Sequence, residues 1–140
     1  MIQPRTRLAL VAAEFNKPLI DAMLNAATEE AAAAGAEVVR VVRVAGSYEV
    51  PLLADVQLAD IGTDALVVLG YIERGETLHG EVMGHVVHQA LVQLQLKHRK
   101  PVGIGIIGPG ATAEQAEQRK DGYARAAVRA VLRSCALLRG

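Results

Sequence analysis

The side chains best suited to chemistry lie together in residues 70–81, Gly-Tyr-Ile-Glu-Arg-Gly-Glu-Thr-Leu-His-Gly-Glu. Histidine is the side chain that most readily takes and gives a proton near neutral pH, which makes His79 the natural proton carrier of the stretch. The residues around it are those of an anion site. Gly75 lets a ligand approach the backbone, Thr77 offers a hydroxyl, and the N–H groups that open a following helix favour negative charge. The plainer alternative is that Thr77 caps that helix and His79 is an ordinary first-turn residue.

Three further groups could act with this stretch. Phe15, the only phenylalanine, precedes Asn16. It could stack on a planar ring or simply cap the core, while Asn16 could set the turn. Gly46-Ser47-Tyr48-Glu49 offers backbone N–H groups, hydroxyls and a carboxylate. Glu49 suits the hydroxyls of a sugar-alcohol chain, or alternatively faces a helix dipole. Arg119, after Glu114-Gln115, has the guanidinium geometry for phosphate but is also the kind of arginine that is commonly solvated. Glu81, His85 and His88 fall on one helical face with His79 nearly opposite. Their spacing is not His-Glu-x-x-His and no second cluster completes a shell, so no metal site is expected. Gly103-x-Gly105 lies within a strand pattern rather than opening a helix, so it is no dinucleotide fingerprint.

These groups must be positioned by the elements between them. Residues 8–13 form an apolar run that reads as a buried strand. Pro18 opens a helix of strong helix formers to Ala34, with Gly35 in the C′ position that stops it. Residues 37–44 read as a second strand, less buried and nearer an edge. A turn over 45–51 enters a short helix to Ala59, and residues 65–69 form a third strand. A long helix runs from Thr77 or Leu78 to about Lys97, with Pro101 beyond it. Residues 102–107 form a fourth strand, where Gly103 and Gly105 predict close approach of a helix or another backbone. Gly108-Pro109-Gly110 reads as a turn. A short helix over 113–119 and a final one over 121–138 follow, with a break near Gly122. Right-handed crossovers then place helices on both faces of a four-stranded parallel α/β sheet. The turns after Ala13, Val44, Leu69 and Ile107 fall along one edge, where function is sought.

Composition narrows the classes of function. At 140 residues the chain suits one domain, residues 1–140. Aromatic residues are only 3%, so the core is aliphatic, as in helices packed on a buried parallel sheet. Lys plus Arg equals Asp plus Glu at 15 each, which gives no charge reason for a nucleic-acid or membrane-surface partner. No apolar run approaches the roughly 20 residues of a membrane span, and residues 1–7 lack the apolar core of a leader. The lone Cys135 cannot form an internal disulfide and reads as a small buried residue of the last helix. An intracellular, cytoplasmic protein is expected. Its mean hydropathy of +0.24 hints at surface covered in an oligomer.

Taken together and in order, four motifs resemble the 6,7-dimethyl-8-ribityllumazine synthase family of riboflavin biosynthesis. They are Phe15-Asn16, Gly46-Ser47-Tyr48-Glu49-Val50-Pro51, Arg74-Gly75-Glu76-Thr77-x-His79 and Glu114-Gln115-Ala116-x-x-x-Arg119. The resemblance covers residues 8–137, and the Gly-Glu-Thr and Gly-Pro-Gly forms are most similar to archaeal-type members. It implies a flavodoxin-like three-layer α/β/α sandwich and a homopentamer, or a decamer or icosahedral shell built on it, with sites between subunits. It also implies small-molecule substrates, no cofactor and no metal. Phe15 would stack on the pyrimidinedione of 5-amino-6-(D-ribitylamino)uracil, and Ser47, Tyr48 and Glu49 would hold that ring and the ribityl chain beside Tyr71, Ile72 and Glu73. Glu76 and Thr77 would hold the phosphate of 3,4-dihydroxy-2-butanone 4-phosphate, with Arg119 from the adjacent subunit. His79 would move protons, and Glu81, His85 and His88 would face the pentamer channel.

Some positions depart from the family pattern. Glu73 stands where an aliphatic residue is common, and Gly80 where an aromatic or aspartate is usual. Ile104 replaces an aromatic that covers the ring from the neighbouring subunit. Ala45 replaces a proline, the loop 108–111 is about one residue longer, and carrying the family's lysine over to Lys120 is insecure. Two other readings share the fold. One is an archaeal-type riboflavin synthase, against which Phe15 and Arg119 speak. The other is a non-catalytic flavin-binding or shell-forming protein.

Overall fold

The computed structural model describes residues 4–140; residues 1–3, part of the segment read as lacking a leader core, lie outside the described residues. Four strands, β1 (Arg7–Ala13), β2 (Glu37–Val44), β3 (Ala65–Glu73) and β4 (Val102–Ala111), pair in parallel in the order β2-β1-β3-β4. They alternate with α1 (Lys17–Ala33), α2 (Val50–Ala59), α3 (His79–His98) and α4 (Ala113–Leu138). The expected α/β/α sandwich is the observed one, with β2 at an edge.

Side-chain alternation divides the core into two halves. Leu8, Leu10 and Ala12 of β1 pack with α1 and α4, whereas Ala9, Val11 and Ala13 pack with α2 and α3. Buried β1 and β3 therefore read as continuous apolar runs. From β1 the chain adds β2 on one side of the sheet and then β3 and β4 on the other, so the winding reverses between β1 and β3. Their carboxyl ends form the switch point where open parallel sheets bind ligands.

The helix α1 stops as its sequence dictates, at Ala34 with Gly35 following at φ +79°. The glycines of β4 also act as expected. A Cβ on Gly103 would lie 2.4 Å from the Ala127 carbonyl oxygen, so α4 sits directly on that strand.

Three boundaries differ from the sequence reading. The strand β3 continues to Glu73 instead of ending at Leu69, because β4 continues to pair with it. The 108–110 turn lies inside β4 rather than after it: Tyr71 pairs with Ile107 and Glu73 with Ala111, so the three residues between bulge out of the ladder. Gly108 makes the bulge possible at φ +94°, and a Cβ there would lie 2.2 Å from the Ile72 carbonyl. Finally, no break occurs near Gly122. Residues 113–138 form one helix, opened by a capping box between Thr112 and Gln115. A glycine inside a helix costs only about 1 kcal/mol relative to alanine. The helix runs through because Ala116 and Ala124, on either side of Gly122, are both buried in the core, while Arg125 pairs with Asp121 and with Glu29 and Glu30 of α1.

At the opposite end of the sheet, Asp64 anchors β1. It accepts the Arg7 backbone N–H at 2.8 Å and two guanidinium N–H groups at 3.1 and 3.0 Å. These bonds hold its carboxyl below the ordinary aspartate value of 3.8. A carboxylate depressed in the folded state stabilises the fold above its unfolded pKa, and the effect is lost as pH falls through the folded value. Asp64→Asn is therefore expected to melt below wild type at pH 7, with the gap closing as the pH is lowered beneath 3.8. Thermal melts at pH 7 and pH 3 test this, and a gap unchanged at pH 3 would assign the loss to something other than the ion pair.

Candidate active site

The switch point is built from three separated pieces of chain. Asn16 adopts the left-handed conformation, φ 58° and ψ 69°, as the N-cap of α1. That reversal directly after β1 throws Phe15 onto the surface, where it is 49% exposed. Its ring centroid lies 6.1 Å from that of Tyr71, tilted by 39°. Tyr71 forms the floor beneath it. The Tyr71 hydroxyl is committed elsewhere, donating to the Ala111 carbonyl at 3.0 Å, and burial with nearby Glu73 pushes its pKa up.

The second piece is a single 3-10 turn, Ser47–Glu49, leading directly into α2. Buried Ser47 sits above Gly70, where a Cβ would lie 3.7 Å from its Oγ. The Glu49 N–H donates to the Gly46 carbonyl at 3.2 Å, and a Glu49 carboxylate oxygen lies 3.4 Å from where a Gly46 Cβ would be. The carboxylate is thus folded back over Gly46. Tyr48, between them, is half exposed and meets His79 edge-on, with ring centroids 6.1 Å apart and an interplanar angle of 63°.

The third piece is the connection from β3 to α3. The helix begins at His79, one or two residues later than the sequence suggested. Thr77 accepts the His79 backbone N–H at 3.3 Å through its Oγ. Gly80 lets the helix start press onto the strand end, since a Cβ there would lie 3.2 Å from the Glu73 carbonyl and 3.3 Å from the Ile72 side chain. One turn later Gly84 receives Pro109, whose Cδ would lie 2.7 Å from a Cβ at that position. These two glycines seat α3 against the end of β3 and the bulge of β4.

A cleft of about 300 Å³ results. Of the residues singled out by sequence, it brings together Phe15, Ser47, Tyr71, Ile72, Glu73, Thr77 and His79. Tyr48 borders it through its contact with His79. A second concavity of about 450 Å³ shares Glu73, Gly75, Thr77 and Gly80 and extends past Arg74, Glu81 and His85 to Pro109. Sequence reasoning missed Met83 and Ala45 as lining residues. Met83 was recoverable, because it lies one helical turn beyond His79 on the same face.

Other singled-out residues stand outside the 300 Å³ cleft. Glu76 is exposed on the connecting loop, and Ile104 is half-buried against the α2/α3 half of the core. Arg119 is exposed in the second turn of α4, and Lys120 is engaged by Glu117. Among the described residues the cleft lining holds a carboxylate, Glu73, and no arginine or lysine. Along α3, His85 lies 3.9 Å from Glu81, and His88 donates from Nδ1 to the Gly84 carbonyl at 2.7 Å. No group of three potential metal ligands is clustered among the described residues.

Comparison with known proteins bears directly on this constellation. The family model for 6,7-dimethyl-8-ribityllumazine synthase matches residues 5–139. The chain belongs to that family. A 6,7-dimethyl-8-ribityllumazine synthase of Pyrobaculum arsenaticum is 40% identical over 127 residues, covering 91% of this chain and 85% of the relative. One from Metallosphaera sedula is 39% identical over 133 residues, covering 95% and 88%. A third, from Staphylothermus marinus, is 40% identical over 125 residues, covering 89% and 83%. These relatives are archaeal, in line with the Gly-Glu-Thr and Gly-Pro-Gly forms of the lumazine synthase motifs here. No described helix is long and apolar enough to cross a membrane.

Proposed function

We infer that the chain is a transferase of riboflavin biosynthesis. It condenses 5-amino-6-(D-ribitylamino)uracil with 3,4-dihydroxy-2-butanone 4-phosphate to give 6,7-dimethyl-8-ribityllumazine. The observation that carries this reading is the convergence of Phe15, Ser47, Thr77 and His79, from distant parts of the chain, on one cleft. On this reading the exposed face of Phe15 stacks on the pyrimidinedione, above the Tyr71 floor and beside Ile72 and Glu73. Ser47 and Glu49 hold the ring and the ribityl hydroxyls. The loop at Glu76 and Thr77 receives the phosphate through backbone N–H groups and the threonine hydroxyl.

His79 handles the protons. The substrate amine attacks the butanone carbonyl and an imine forms with loss of water. Inorganic phosphate is then eliminated, and the second nitrogen closes the ring with loss of a second water. The nucleophile belongs to the substrate, so the site needs a proton carrier, an anion clamp and close positioning.

A second chain would complete the anion clamp beside Arg74, which lines the adjoining concavity with Gly75 and Thr77. The lining of the 300 Å³ cleft offers no arginine or lysine among the described residues, while Arg119 is solvent-exposed. A neighbouring copy would bring Arg119 to the phosphate and Ile104 over the ring. Exposed Val82 and Val86 on α3 and Leu52 and Val56 on α2 provide apolar surface for such an assembly. We place the minimum unit at a homopentamer, working in the cytoplasm.

The test is a turnover assay with both substrates, following lumazine absorbance above the uncatalysed background. Saturable turnover is expected. Tight binding of a lumazine or flavin with no turnover would replace the enzyme with a binding or shell-forming protein.

A further inference from the structure

Among the described residues the His79 imidazole has no hydrogen-bond partner; the contact at that residue's own backbone is the N–H donated to Thr77. This is unusual for a proton carrier, whose ring is ordinarily aimed by a carboxylate or carbonyl on its second nitrogen. The neighbouring residues give the ring no polar anchor. Gly80, packed on the end of β3, has no side chain, and Leu78 at the N-cap makes no side-chain hydrogen bond. Of the carboxylates nearby, Glu49 is folded back over Gly46 and Glu73 ends β3 across the cleft; neither bonds to the imidazole. What does meet His79 is the ring of Tyr48, in the edge-to-face arrangement that aromatic pairs prefer.

Tyr48 is well placed to act as a fixed wall. Ser47 before it and Val50 after it are buried, which pins the backbone of the turn, yet its own side chain is 45% exposed. Little of the core depends on that ring.

We propose that Tyr48 is the positioning residue for His79, aiming the imidazole into the cleft by ring packing in place of a second hydrogen bond. The proposal rests on the transferase reading above and deepens it. The ring, not the hydroxyl, carries the effect. Tyr48→Phe is therefore expected to keep kcat near wild type, while Tyr48→Ala lowers kcat by about two- to tenfold with little change in KM, the range an aromatic pair of this geometry supports. In a His79→Ala background the same Tyr48→Ala change is expected to have no further effect, because nothing remains to be aimed.

Equal losses in both backgrounds, a change confined to KM, or no loss in Tyr48→Ala would overturn the proposal. The first two outcomes would make Tyr48 a direct substrate contact. A second readout does not depend on turnover. The ring protons of His79, assigned by comparison with His79→Ala, should carry a ring-current shift in the proton NMR spectrum that Tyr48→Ala removes and Tyr48→Phe retains. Absence of that shift from the wild-type spectrum refutes the contact. Absence of wild-type turnover with the shift present refutes the transferase reading alone.

Discussion

His79→Ala is expected to lower kcat by about a hundredfold or more, the contribution typical of a positioned acid–base group. The fold should be unaffected, since His79 is exposed at the first position of α3 and belongs to neither half of the core. Binding of the ribitylaminouracil should also survive, because the groups assigned to that ring, Phe15, Ser47 and Glu49, come from other segments. The loss therefore belongs in kcat rather than KM. The check is steady-state turnover of wild type and variant under saturating substrates. Unchanged turnover would keep the reaction but return His79 to a structural role at the helix start.

A large effect on stability is expected at Gly103. An alanine there would place its Cβ 2.4 Å from the Ala127 carbonyl oxygen and 2.9 Å from Val131 Cγ1. The first of these is backbone in the middle of a 26-residue helix, so no rotamer change relieves it. Either α4 lifts from the sheet or β4 is pushed away from β3, and the interlocked core is disturbed in both cases. A loss of about 3 kcal/mol, the upper part of the range for overpacking, is expected. Gly122→Ala is the control, because that glycine has nothing within 4 Å and a negative-φ helical backbone. It should stabilise by roughly 0.5–1 kcal/mol. Denaturant midpoints of the two variants decide the matter; a Gly103→Ala midpoint equal to wild type would mean that α4 does not rest on that strand.

What was legible in the sequence follows from how directly each feature is encoded. The buried strands β1 and β3 and the α1 stop at Gly35 announce themselves through apolar runs and a residue that tolerates positive φ. The seat of α4 was visible as an alternation of glycines in β4. Features that depend on a partner element were harder to read. The extension of β3 to Glu73 exists because Ala111 returns to pair with it after the 108–110 bulge, a tertiary event with no local signal. The uninterrupted α4 reflects a core face, Ala116, Ala124, Ala127 and Val128, that is buried on both sides of Gly122, a tertiary effect that outweighs the local weakness there.

The candidate site divides in the same way. Motif residues from β1, the turn before α2 and the start of α3 converge because the switch point forces their connections together. Arg119 and Ile104 do not join them within one chain, and no pattern in the sequence states where a neighbouring copy will stand. Gly80 departs from the family pattern beside His79. In the structure it is the residue that lets α3 close on β3.

The tyrosines lead to a practical end. The chain has no tryptophan and three tyrosines. Tyr71 is the floor of the cleft, Tyr48 stands at its rim, and Tyr123 lies apart on α4. Two of the chain's three tyrosine emitters therefore stand at the cleft. A conjugated ring arriving over Phe15 comes to rest within energy-transfer range of both of those emitters. The molecule carries an optical gauge of its own occupancy, readable without a label.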